Sequence, residues 1–393
     1  MSTSATMPFP ARLKTHLKLD PVLMLIVGIL LFGGLVILTS ASITVSDNAA
    51  GQPFFYVQRQ LVAALIGGMA AVACVLIPMR VWQTLSPLML LAGIGLLCVV
   101  LVPGLGYEVN GATRWVRIGI MNLQVSEPAR LCLLIYLAGY VVRQQKALRE
   151  RFVGFLRPML VLSISCFLLL LQPDFGAAIV LLATALVMLF VGGARLRDFA
   201  VFFTLTLVAM TAVALTSAYR LKRLAGFLDP WADPYDSGFQ LTQSLIAVGR
   251  GEWFGVGLGD SVQKLFYLPE AHTDFVFAVY AEEFGLLGSL LLIGLFIALL
   301  CRVFKLALRA ASADRYFEAY LAIGIGTWLG LQAFINIGVN MGILPTKGLT
   351  LPLISYGRSS LIITMAAIGM LLRIHHELSV DAKPVNRKRR RKR

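Results

Sequence analysis

The chain has 393 residues, 58% hydrophobic and only 14% charged, with a mean hydropathy of +0.80. So little polar surface excludes a soluble enzyme or binding module of this length. Its net charge of +15 would suit nucleic acid, but the placement of the charge excludes that and points to a membrane surface.

In chain order, a polar arm (residues 1–20) precedes an apolar run too long for a cleavable signal peptide, and further runs follow it. The hydropathy pattern predicts an all-α polytopic integral membrane protein with ten transmembrane helices, near 21–42, 56–78, 82–103, 126–143, 157–172, 175–193, 198–217, 274–301, 317–340 and 355–373. A membrane domain over 21–375 is expected to contain one large extracytoplasmic loop (218–273) between the seventh and eighth helices, with a basic tail at 376–393. Cytoplasmic termini give the cytoplasmic side 24 of the 35 Lys and Arg, and the reverse topology would put that excess outside. The tail RKRRRKR (387–393) then lies against anionic lipid. The five cysteines are scattered through the apolar segments and the four histidines form no metal motif, His375 and His376 included.

Eleven cations fall on the outer side: Arg59, Arg114, Arg117, Arg130, Arg220, Lys222, Arg223, Arg250, Lys264, Lys347 and Arg358. Cations near the ends of apolar spans are expensive to desolvate without an anion, so they suggest a site for a phosphate-bearing ligand. The alternative for each is a snorkelling side chain or an internal ion pair.

The long loop carries two Trp, three Tyr, five Lys/Arg and seven Asp/Glu between Tyr219 and Asp274. A capping box beginning at Ser237 predicts a short amphipathic helix over 238–248. The glycines of GVGLG (255–259) read as a flexible turn. Thr273 is placed to cap the eighth span, which would put Asp274 in its first turn with a carboxylate stabilised by the helix dipole. Glu108, Glu127 and Asp174 are competing outer acids that also fit structural roles. Glu282 and Glu283 lie inside a span, where acids are functional candidates by default. No Walker A sequence and no Ser-His-Asp pattern is present, so the driving energy is expected to travel with the substrate.

Five segments carry a resemblance: NGATRW (110–115), QVSEPAR (124–130), QPDFG (172–176), the run 227–275 ending in LPEAHTDF, and LPTKGLTLPLISYGRSS (344–360). The chain resembles the SEDS family (shape, elongation, division and sporulation proteins) over nearly its whole length, its division-type members most closely. The resemblance implies a glycosyltransferase that polymerises lipid II into glycan strands outside the cytoplasmic membrane, at the division septum. It implies a class B penicillin-binding protein and other division proteins as partners, besides the lipid-linked substrates and membrane lipids. The family's essential acid falls on Asp274. Two positions depart from the common pattern: Arg130, often Lys, and Arg358, commonly Gly.

The implied reaction needs a base for a sugar hydroxyl and positive charge for a departing undecaprenyl diphosphate. Asp274 is the expected base, or the ligand of a divalent cation, Mg²⁺ or Mn²⁺. Arg114, Lys264, Lys347, Arg220 and Arg223 are the diphosphate candidates, and Glu127, Arg130, Glu108, Ser355 and Arg358 complete the expected substrate site. The competing readings are a lipid II flippase, a division scaffold without activity, and an elongation-type polymerase of the same family. Few charges lie at mid-span, which disfavours a polar path across the bilayer.

Overall fold

The computed structural model describes residues 17–381 except 110, 120, 216–226, 237 and 347. In chain order it consists of α1 (Pro21–Ala50), α2 (Phe55–Leu76), α3 (Met79–Val99), β1 (Gly106–Val109), β2 (Ala112–Ile118), β3 (Met121–Gln124), α4 (Ser126–Arg143), α5 (Gln145–Glu150), α6 (Phe152–Leu171), α7 (Phe175–Val191), α8 (Leu196–Leu215), α9 (Phe239–Arg250), α10 (Val276–Ser312), α11 (Tyr316–Asn340) and α12 (Arg358–Asp381). Among the described residues seven helices are long and apolar enough to cross a membrane: α1, α2, α3, α6, α10, α11 and α12. The other three expected segments are helical as well. Of these, α7 has only 17 residues, and α4 carries Glu127, Arg130 and Arg143.

Local chemistry sets the ends of α1. Asp20 accepts hydrogen bonds from the backbone N–H of Val22 and Leu23 ahead of Pro21, and Gly51 closes the last turn in the left-handed region at φ 62°. Helices α11 and α12 are central, with 61% and 72% of their most apolar windows buried, against 17% for α3. Helices α2 and α12 approach backbone to backbone where a Cβ on Gly369 would run into the Ala71 carbonyl oxygen. Such small-residue contacts replace the hydrophobic drive that helices in lipid lack. At the end carrying the chain termini, Arg302 of α10 forks onto Asp20 at 2.7 and 2.9 Å. There too Glu377 of α12 accepts from Arg315 and Arg373, both at 2.8 Å.

The all-α expectation needs one correction. Residues 106–124 form a three-stranded antiparallel sheet in the order β1-β2-β3, with Trp115 opposite both Tyr107 and Gln124. Bulky and β-branched residues in ATRWVRI favour extension, and Gly119 at φ 58° turns the second hairpin. Hydropathy windows tuned to long helices pass over such short strands.

Helix α10 is broken at Gly285 (φ 67°, ψ −163°). The loop after α9 docks into that break. Val256 and Gly257 donate backbone N–H to the carbonyls of Glu282 and Glu283 at 3.0 and 3.2 Å. In return Leu286 and Leu287 donate to the carbonyls of Glu252 and Trp253 at 2.8 and 3.2 Å. The GVGLG glycines are therefore a docking surface rather than a flexible turn. A Cβ on Gly255 would lie 2.1 Å from the Glu283 carbonyl oxygen.

Candidate active site

Four helices begin around one cavity: α4, α7, α10 and α12. Their first turns or the residues just before them line it, together with β2, β3, Thr346, Gly348, Leu349, Thr350 and Gln240 of α9. The cavity holds about 550 Å³. Converging helix N-termini turn their positive dipole ends toward it, an arrangement suited to anionic ligands.

Asp274 lines this cavity without standing in the first turn of α10. Thr273 gives its hydroxyl to the Glu270 carboxylate at 2.7 Å instead of capping the helix. A turn at Glu270, closed by the N–H groups of Thr273 and Phe275, brings Asp274 out ahead of Val276. The expected dipole-stabilised carboxylate is accordingly overturned. Burial, and then the negative charge of Glu270, push Asp274 up to about 7, against which the positive charge of Arg114 acts only partly.

Three amides of α11, four residues apart, hold the walls in place. Asn336 donates to the carbonyl oxygens of Asp274 and Leu349 at 2.8 and 2.6 Å, and Asn340 donates to Asp274 O at 3.0 Å. Gln332 donates to Thr350 O at 3.0 Å and accepts from Arg130 and Trp328 at 3.0 and 2.7 Å. Hydropathy reading missed this ladder because the uncharged amides leave the span strongly apolar. Its signal was Gln332, Asn336 and Asn340 recurring at helical spacing on one face. Gly348 closes the approach on the other side: a Cβ there would stand 3.0 Å from Asp274 Oδ2.

Of the other predicted site residues, Arg114, Glu127, Arg130 and Arg358 line the cavity. Arg114 donates Nε to Gln172 O at 3.0 Å and a second nitrogen to Pro173 O, which anchors the sheet to the turn before α7. Arg130 is 2% exposed, with Nη2 3.5 Å from Glu127 Oε1 and its guanidinium over the Trp328 ring. Arg130 Nε and Glu127 Oε2 are buried and have no hydrogen-bond partner among the described residues. Arg358 opens α12 and forms no ion pair among the described residues. Asp174 caps α7 and accepts from Gln124 and Ser126, a structural role.

Three expectations are corrected. Lys264 is buried away from the cavity, with Nζ 2.9 Å from Glu283 Oε1 and 2.8 Å from Ser40 Oγ, so it has no hand free for a diphosphate. Ser355 instead accepts from the Leu351 N–H at 2.8 Å within its own turn. Glu108 sits exposed on β1, outside the lining. Arg220, Arg223 and Lys347 lie outside the described residues, although Thr346 and Gly348 on either side of position 347 line the cavity. Glu282 and Glu283 hold structure together: Glu282 takes bonds from Arg250, Ser261 and two loop N–H groups, and Glu283 from Lys264 and Ser40. Among the described residues no group of three or more His, Cys, Asp or Glu is arranged to hold a metal ion. The carboxylates that line the cavity are Glu127, Asp174, Glu270 and Asp274, and a divalent cation there would draw its ligands from them.

Residues 21–380 match the family of cell cycle proteins named for FtsW, RodA and SpoVE. The chain belongs to this family. It is 53% identical over 368 residues to the probable peptidoglycan glycosyltransferase FtsW of Thioalkalivibrio sulfidiphilus, covering 94% of this chain and 92% of that one. The corresponding Coxiella burnetii protein is 51% identical over 344 residues, 88% and 92% of the two chains. Among solved structures, a chain of a peptidoglycan synthase complex that coordinates polymerization and crosslinking superposes with a TM-score of 0.74 at 34% identity, covering 92% of this chain and 99% of that one. The rod shape determining protein RodA of Thermus thermophilus superposes with a TM-score of 0.67 at 33% identity, covering 92% and 98%. The family shares the helical membrane architecture described above, and the chain is a multi-pass membrane protein.

Proposed function

We propose that the chain is a division-type peptidoglycan glycosyltransferase that polymerises lipid II into β-1,4-linked glycan strands at the outer face of the cytoplasmic membrane. The observation that carries this reading is a carboxyl group with its pKa raised to about 7 in a cavity shared with three arginines. A general base works best when its pKa lies near the working pH. The names of its relatives support the same activity.

In this reading the GlcNAc 4-hydroxyl of one lipid II attacks the anomeric carbon of the growing chain. The new C–O bond forms with inversion as the bond to undecaprenyl diphosphate breaks, and Asp274 takes the hydroxyl proton. Arg114 and Arg358, with the helix N-termini around them, stabilise charge on the leaving diphosphate. Lys347, Arg220 and Arg223 remain candidates for the same task. Arg130 and Glu127 on the cavity wall remain candidates for holding the sugar. A divalent ion, if one takes part, would supply further positive charge to the diphosphate.

The topology that goes with this has ten spans, both termini in the cytoplasm, a 218–273 outer loop between the seventh and eighth spans and a basic cytoplasmic tail at 376–393. The partner is a class B penicillin-binding protein at the septum that cross-links the nascent strand. The test is lipid II polymerisation in vesicles by this chain with its cross-linking partner, with and without Mg²⁺ or Mn²⁺. Long glycan supports the proposal, whereas transfer of intact lipid II between leaflets without polymer rejects it for a flippase.

A further inference from the structure

We infer that the two aromatic tips of the loop before α10, Trp253–Phe254 and Phe266–Tyr267, are seated in the lipid headgroup region at the cavity end of the molecule. The bilayer itself is then the ligand of this surface. The inference rests on the membrane-spanning character of α1 and α10, not on the catalytic reading.

The depth argument starts from α10. Between Glu283 and Arg302 the helix has 18 residues without a charge. Sixteen of these, 286–301, follow the break at Gly285, and at 1.5 Å per residue they span about 24 Å, most of the thickness of a bilayer's hydrocarbon core. One edge of the hydrocarbon therefore falls beside Gly285, and Leu286, Leu287, Leu290 and Leu291 just beyond it are exposed, as lipid-facing residues are. The loop is hydrogen-bonded to the helix at that level, since Leu286 and Leu287 donate to the carbonyls of Glu252 and Trp253. Trp253 and Phe254 cannot lie far from the hydrocarbon edge, and they are 63% and 81% exposed.

A second tether agrees. Thr44 near the end of α1 donates its hydroxyl to the Lys264 carbonyl at 3.2 Å, and Lys264 is pinned to Glu283 of α10. The next residues, Leu265, Phe266 and Tyr267, are 45%, 57% and 54% exposed. Helices α1 and α10 pack together, so both tips flank one pair of spans. Aromatic side chains gather at the level of lipid headgroups because one part of the ring system is apolar and another polar. Of the acids at this depth, Glu282 is paired with Arg250 and Glu283 with Lys264, whereas Glu252 beside Trp253 is exposed, which suits a seat among polar headgroups and not in the hydrocarbon. Such a seat fixes the height of the cavity relative to the lipid surface.

The test uses the full chain in vesicles, without a partner protein, in which a fraction of the lipid carries bromine either high on the acyl chains or near their ends. Trp253 is one of five tryptophans, so its fluorescence is taken as the difference between the native chain and Trp253→Phe. Headgroup seating predicts that this difference component is quenched most by the high-bromine lipid and little by aqueous acrylamide. Phe254→Trp should gain a component with the same pattern. If acrylamide quenches both components and brominated lipid does not, the surface faces water or awaits a protein partner and the inference fails. Stronger quenching from the chain ends would place the tips inside the hydrocarbon and overturn it as well.

Discussion

Asn336 of α11 gives its side-chain amide to the backbone carbonyl of Asp274 at 2.8 Å, and Asn340, one turn on, reaches the same oxygen at 3.0 Å. The acid is thus held by its main chain, leaving its carboxyl group to the cavity. Without Asn336 the Asp274 oxygen keeps Asn340, but the Leu349 carbonyl that Asn336 also serves loses its donor, which costs about 1–3 kcal/mol for a buried group. Asn336→Ala is expected to cost that in stability, and to lower the rate of glycan formation more than the apparent affinity for lipid II. A thermal melt in detergent and a rate series against lipid II concentration measure the two effects.

The Lys264–Glu283 pair gives a prediction that separates structure from substrate binding. Lys264→Met strands a buried carboxylate, which costs on the order of 3–5 kcal/mol, and activity should fall with the loss of fold. Lys264→Met with Glu283→Leu removes both charges and should recover most of the stability and activity. A double-mutant cycle on melting temperature and polymerisation checks this. If the double variant is stable yet inactive, Lys264 binds substrate after all.

Gly285 and Gly255 meet where the loop enters α10, and both have positive φ, 67° and 80°. A Cβ on Gly285 would lie 2.4 Å from Gly255 N. Gly285→Ala should therefore cost more than the ~1–3 kcal/mol of a strained backbone conformation alone. It should also loosen the loop that leads to Asp274. Melting temperature and protease sensitivity of residues 252–270 are the measurements.

The sequence made the helical membrane architecture legible because apolar runs of bilayer length are rare in any other setting. It also singled out Asp274, Arg114 and Arg358, which line one cavity. What it missed were relationships of shape and depth. The short sheet at 106–124 lies below the window at which hydropathy is informative. The raised pKa of Asp274 comes first from burial and then from the charge of Glu270, in a turn that moves the acid off the helix start, a local geometry no spacing rule contains. Lys264 looked available because its partner, Glu283, follows 19 positions later in a helix whose facing was unknown. The amide ladder was hidden by its lack of charge.

A carboxyl group raised to about 7 has a defined pH signature. Its folded pKa exceeds the unfolded value of about 3.9, so the folded state favours the protonated form. The stability this gives is full below about pH 4 and is lost as pH rises through 7. Asp274→Asn should accordingly raise the melting temperature at pH 8 and have less effect near pH 5. Activity runs the other way, rising as Asp274 ionises with a midpoint near 7. Glu270→Gln removes the neighbouring negative charge and should move that midpoint down. A rate–pH profile of both chains is the check.

The central claim is that Asp274 takes the proton of the attacking sugar hydroxyl. It is tested most directly by measuring glycan formation from lipid II with purified Asp274→Asn beside the native chain, both reconstituted with the cross-linking partner and matched for folded protein. The account predicts a fall of at least ~10²-fold, the usual contribution of a general base, with partner binding retained. Polymer made at the native rate by the folded Asp274→Asn chain would contradict it.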